Sequence, residues 1–149
     1  MATEKATTAV ISVERIERAI LMVRGHKAIL DSDLAALYGV PTKRLNEQVR
    51  RNRVRFPPDF MLQLRDREAA FLRSQIATSK PGRGGRRYRP YVFTAHGALM
   101  VATVLNSQVA VRVSIQIVRT FVRLRQLLAA HAQLARKLAE IPSVSLRHR

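Results

Sequence analysis

Asp31-Ser-Asp-Leu-Ala-Ala-Leu-Tyr-Gly-Val-Pro-Thr-Lys-Arg-Leu-Asn-Glu-Gln-Val-Arg-Arg-Asn52 reads as two short helices joined by a glycine turn, the second dense in positive charge. Asp31 or Ser32 can cap the first helix, because a short oxygen side chain accepts from free first-turn amides. Leu34, Leu37 and Tyr38 recur at helical spacing and are expected to face inward. Gly39 stops the helix where a positive φ is cheap only for glycine. Val40 tucks under the turn, and Pro41 suits the start of the second helix.

Leu45 and Val49, four residues apart, form that helix's buried stripe. With Leu45 at zero and about 100° per residue, Lys43, Arg44, Glu47, Arg50 and Arg51 fall on the outward arc, Asn46 at its edge and Gln48 nearer the buried side. Several long cations and an amide on one face are the chemistry that reaches phosphates and base edges in a major groove. Ala35, Gly39 and Leu45 stand at helix-turn-helix offsets. The last apolar anchor falls on Val49 rather than Gln48, which rotates the helix and the set of reading residues with it.

Composition points to the same class of partner. The 149 residues are 47% hydrophobic, a folding composition, with 27 Lys and Arg against 10 Asp and Glu, a net charge of +17. Such an excess suits a polyanion. A GC-rich genome would favour Arg over Lys but would not produce the excess. There is no cysteine, so disulfides, thiolate metal sites and thiol catalysis are excluded. No secretory signal pattern opens the chain, and the apolar run 98–105 is far below the roughly 20 residues that span a bilayer. A cytoplasmic, nucleoid-associated protein is expected.

Residues 1–12 are unpatterned and read as a loose tail, 13–107 as the DNA-binding domain, 108–141 as a long C-terminal helix and 142–149 as a basic tail. Residues 14–18 suggest a helical turn. The segments 19–24 and 27–30, around Gly25-His26, fit either a β-hairpin or a helix through residue 23. Pro57 and Pro58 break the helix after Asn52. A strand over 60–64, a helix over 66–77 with Ala69, Leu72 and Ile76 inside, and a second strand over 91–94 pairing with the first follow. Residues 78–89 form a loop with five cations and no acid, which reads as a wing on the backbone or minor groove, or as a solvated linker. Thr94 or His96 opens a helix over 97–106. Beyond Gln108, Ile117, Phe121, Leu124, Leu128, His131, Ala135 and Leu138 make a heptad-like seam that Pro142 is expected to end.

These segments resemble the phage and prophage DNA-binding domains related to KilA-N and Bro-N, in the short bacterial ORF-six N-terminal form. The matching stretches are 30–40, Leu45-Asn46 with Arg51-Asn52, 55–64, 72–79, 84–94, and 104–107 with the helix through Phe121. The resemblance covers roughly residues 15–125. It implies DNA binding, no enzymatic activity and residence on mobile DNA. Members often carry a separate C-terminal domain; here one helix follows, so the chain reads as the DNA-binding part with at most an oligomerisation tail.

The expectation is an α+β domain with a helix-turn-helix core, small β-hairpin and wing elements and a long C-terminal helix. It binds double-stranded DNA as a transcriptional regulator or antirepressor-like factor, without cofactor, metal, membrane or small-molecule substrate. Arg44 and Arg51 are the expected base contacts and Asn46 the amide for adenine. Glu47 accepts from cytosine or orients Lys43 or Arg51. Arg53, Arg55, Arg83, Arg86 and Arg87 hold the backbone. A dimer through the C-terminal helix is favoured, because two half-sites make up for one short reading helix. An enzyme fits poorly: His26, His96, His131 and His148 are scattered, the acids are dispersed, and Gly82-Arg-Gly-Gly85 lacks the ending of a P-loop. A nonspecific DNA or RNA binder, or an interaction module with incidental charge, are the alternatives.

Overall fold

The computed structural model describes residues 11–75 and 89–147. Helix α1 (Val13–Ala19) leads into β1 (Ile20–Val23) and β2 (His26–Leu30), then α2 (Asp31–Tyr38) and α3 (Thr42–Arg51). A 3-10 turn (Arg53–Arg55), β3 (Met61–Gln63), α4 (Asp66–Gln75), β4 (Tyr91–Phe93), α5 (Ala95–Leu105) and α6 (Gln108–Arg147) complete the described chain, an α+β fold.

The hairpin alternative for residues 20–30 is the one adopted. Arg24 and Gly25 both take positive φ (49° and 83°), the backbone of a two-residue turn whose twist matches the strands it joins. The four strands form one antiparallel sheet in the order β1-β2-β4-β3. Ile29 and Met61 both stand opposite Phe93, and Leu30 and Leu62 opposite Val92. Successive side chains on a strand point to opposite faces, so the sheet has two apolar sides. Ile29, Phe93 and Met61 join the main core with Ile16, Leu34, Tyr38, Leu45, Val49, Val101 and Ile117. Val23, Ala28, Leu64 and Val92 form a smaller cluster with Ala69 of α4. Leu72 packs beside it, while Ile76 lies outside the described residues.

Thr94 caps α5, accepting from the Gly97 amide at 3.4 Å and donating to the Asp59 carbonyl at 2.8 Å. Gly97 is required by contact: a Cβ there would overlap the carbonyl oxygen of Phe60.

The structure departs from the sequence expectation at both ends. Ile11 is not loose; its N–H donates to Gln116 Oε1 (3.3 Å) and its carbonyl accepts from Gln116 Nε2 (3.1 Å), and Ser12 caps α1. One side-chain amide thus completes backbone groups that a segment without its own pattern would leave open. At the other end α6 runs to Arg147, past Pro142. A proline fits helical φ, so a helix can pass through one, at the cost of a ladder hydrogen bond and of crowding the carbonyl four residues back.

Along α6, Val113 and Ile117 are buried while Val109, Val111 and Ile115 are more than 40% exposed. The apparent alternation of this stretch is therefore two faces of one helix. Ala110, Val113, Ile117 and Phe121 fill the domain core, packed against α5, α2 and α1. From Arg125 to Ala139 every residue is exposed.

Candidate nucleic-acid interface

The α2–α3 pair is held as a unit. Gly39 takes φ 74° and ψ 30°, and the Val40 amide returns to the Ala35 carbonyl at 3.0 Å. Pro41 sits at the cap of α3 with extended backbone, its carbonyl accepting from Leu45 at 3.1 Å. Leu34 and Leu45 are fully buried, and Val49 is 4% exposed. Burial of Leu45 and Val49 fixes the rotation of α3, with Val49 and not Gln48 as the inner anchor. Tyr38 ties the pair to α5 by donating to the Ala98 carbonyl at 2.6 Å, and burial pushes its phenol well above the usual range.

That rotation leaves Lys43, Arg44, Arg50 and Arg51 exposed and Glu47 half-buried. The outward arc drawn from the sequence is therefore a real face of the molecule. Asn46 is placed differently. It is half-buried, and its Nδ2 donates to Asp31 Oδ2 at 3.1 Å. Asp31 accepts from a first-turn amide, as a capping residue would, but from within the helix, as its first residue. Leu30 takes the cap position with no side-chain bond, because β2 runs straight into the helix. The Asp31 carboxylate, 1% exposed, accepts from the Ser32 amide at 2.6 Å and from Asn46. A buried carboxylate needs such donors, and Asn46 supplies one from the neighbouring helix. Burial lifts the Asp33 carboxyl above the usual range, the Asp31 charge adds to this, and Arg15 opposes it.

The basic face continues past α3. The Asn52 side chain donates to the Gln48 carbonyl at 2.7 Å, closing the helix end. The Arg55 amide returns to Asn52 at 2.8 Å and the Phe56 amide to Arg53 at 3.0 Å. Phe56 is buried edge-to-face on Phe93, ring centres 6.0 Å apart, which pins the turn. Arg53 and Arg55 are exposed, with the Arg53 guanidinium 5.7 Å from the centre of the Tyr91 ring. Between them Val54 is 93% exposed, an apolar tip between two cations that periodicity alone does not single out.

Arg83, Arg86 and Arg87 lie outside the described residues. The strands flanking that loop pair as expected, Gln63 opposite Tyr91, and Arg89 stands 3.7 Å from Asp66. A second ion pair is firmer: Arg24 meets both oxygens of Glu68 at 2.8 Å and holds that carboxyl at about 2. Neither pair takes a cation from the α3 face. From residue 69 to 139 the chain contains no Asp or Glu. Among the described residues no three His, Cys, Asp or Glu converge on a metal-sized site, and no helix is long and apolar enough to cross a membrane.

No curated protein and no solved structure matches the chain. The family model described as ORF6N domain matches residues 18–104, more than half of the chain and the whole of the α2–α3 unit. That family is phage-associated, of the KilA-N and Bro-N kind, and is generally a DNA-binding, non-catalytic module. With its helix pair, sheet and basic face inside the matched span, the chain belongs to the ORF6N domain family.

Proposed function

We propose that the chain binds double-stranded DNA through the outward face of α3 and acts as a phage-type transcriptional regulator or antirepressor-like factor, not as an enzyme. The observation that carries this reading is the rotation of α3. Leu45 and Val49 are locked inside, so Lys43, Arg44, Arg50 and Arg51 share one exposed face. Arg44 and Arg51 are the base-contact residues, because a guanidinium can grip guanine with two bonds. Glu47, four residues from both Lys43 and Arg51, orients them or accepts from cytosine. Asn46 serves the face from behind, by holding α3 against Asp31. Arg53 and Arg55, with Arg83, Arg86 and Arg87 of the loop, grip phosphates. The site of action is the bacterial nucleoid, and the binding form is a homodimer through α6. The wide spread of positive charge favours a second reading, nonspecific nucleic-acid binding.

Fluorescence anisotropy on mixed duplex fragments, titrated with salt, separates these readings. The parent is expected to bind with a log–log salt slope of about 0.9 per phosphate neutralised, and the Lys43→Ala, Arg50→Ala, Arg51→Ala triple variant to lose binding. If the variant binds like the parent, α3 is not the reading element. If single strands and RNA compete equally, the nonspecific reading stands.

A further inference from the structure

The apolar stripe of α6 does not stop where the domain stops. Ala110, Val113, Ile117 and Phe121 are buried, and Leu124, next on the stripe, is half-buried. Leu127, Leu128, Leu134 and Leu138 follow in the same heptad phase, each half-exposed or more (56%, 50%, 54% and 51%). Leu127 and Leu134 widen the seam expected from sequence. Four leucines along one side of a projecting helix are a surface that water does not favour, and a helix without tertiary contacts is marginal.

We infer that residues 124–138 pair antiparallel with the same residues of a second copy, the two helices crossing near His131. This deepens the dimeric reading above, and its test contains no DNA, so the two can fail separately. The stripe is nearly symmetric about His131: Leu124 and Leu138 lie seven residues away on either side, Leu128 and Leu134 three. Such a pattern is self-complementary under a two-fold axis, the condition for a closed dimer.

Orientation follows from what already fills the stripe. Up to Phe121 that side of α6 is covered by α1, α2 and α5 of its own domain. A parallel partner would have to pass through the same space. An antiparallel partner sets its own domain at the opposite end, and only the last turns of its helix, beyond Leu138, reach toward that space. The seam itself carries no charge. Arg123 and Lys137 lie on one flank of it, so antiparallel pairing sets each Arg123 beside the second copy's Lys137. Self-association is then opposed by like charges and tightened by salt, the reverse of DNA binding.

Sedimentation equilibrium of the full chain without DNA tests this. The parent is expected to shift from monomer to dimer between about 1 and 100 µM, and at lower concentration in high salt. Leu127→Asp with Leu134→Asp should abolish the dimer while leaving the thermal melt of the domain close to the parent's, since both side chains are more than half exposed. Lys137→Glu should tighten association several-fold by facing Arg123, and His131→Leu by about tenfold or more. The chain has no cysteine, so a short bismaleimide reports orientation. Arg123→Cys with Lys137→Cys should cross-link two copies, whereas Lys137→Cys alone should not, its two positions lying about 18 Å apart along the axis at 1.5 Å per residue. A parent that stays monomeric at about 100 µM, or an aspartate variant that associates like the parent, overturns the interface. Cross-linking by Lys137→Cys alone, or weaker association of Lys137→Glu, overturns the antiparallel arrangement.

Discussion

Replacing Asn46 by alanine separates a residue that reads DNA from one that holds the reader in place. The amide spans 3.1 Å from Asn46 Nδ2 to the Asp31 carboxylate, which is 1% exposed. A hydrogen bond to a charged group contributes about 1.5–3 kcal/mol, and one lost inside the protein is not replaced by water. The opposing gain is that Asn46 Oδ1 is buried without a hydrogen-bond partner, and alanine removes that group as well. The net destabilisation is about 1–2 kcal/mol, or a fall in Tm of roughly 2–8 °C for a chain of this size. Duplex affinity, measured well below the melt, should stay within about threefold of the parent, because the exposed cations are unchanged. Asn46→Asp should destabilise more, by placing a second carboxylate against Asp31. Thermal denaturation followed by circular dichroism, beside anisotropy on the same duplex, decides the matter. An unchanged Tm with affinity lost by about 5- to 150-fold, the value of one bidentate base contact, would refute this reasoning and restore Asn46 as a base reader.

Other perturbations test other joints of the fold. Gly97→Ala should cost about 3 kcal/mol by urea denaturation, because the added methyl meets the Phe60 backbone and not a flexible side chain. Tyr38→Phe should cost about 1–2 kcal/mol by leaving the Ala98 carbonyl without its donor. Arg24 and a backbone amide hold Glu68 at about 2, below its ordinary value of 4.5. This depressed group adds stability that is present above pH 4.5 and lost as the pH falls toward 2. Glu68→Gln should therefore flatten that limb of the stability–pH profile, by at most about 1 kcal/mol because water reaches the pair. Val54→Asp should leave the melt within about 0.5 kcal/mol, since Val54 is 93% exposed, yet weaken duplex binding several-fold by setting a negative charge between Arg53 and Arg55.

The elements that depend on near neighbours in the chain were legible from residues alone. Gly39 with its left-handed backbone, Pro41 after it and the Leu45–Val49 spacing set two helices and the rotation of the second. Pro57 and Pro58 ended the run, and apolar spacing placed α4, α5 and β4 close to where they stand. Three matters were settled only by contacts between distant segments. The β1–β2 hairpin joins β4 through Ile29 and Phe93, which are far apart in the chain, and its own residues suited a helix as well as a strand. Asn46 lay at the edge of the outward arc, where a turn of a few degrees makes it solvent-facing or inward; Asp31, from another helix, holds it half-buried. On α6 one apolar stripe is core as far as Phe121 and surface beyond it, because periodicity tells which side of a helix avoids water and only packing tells what covers that side.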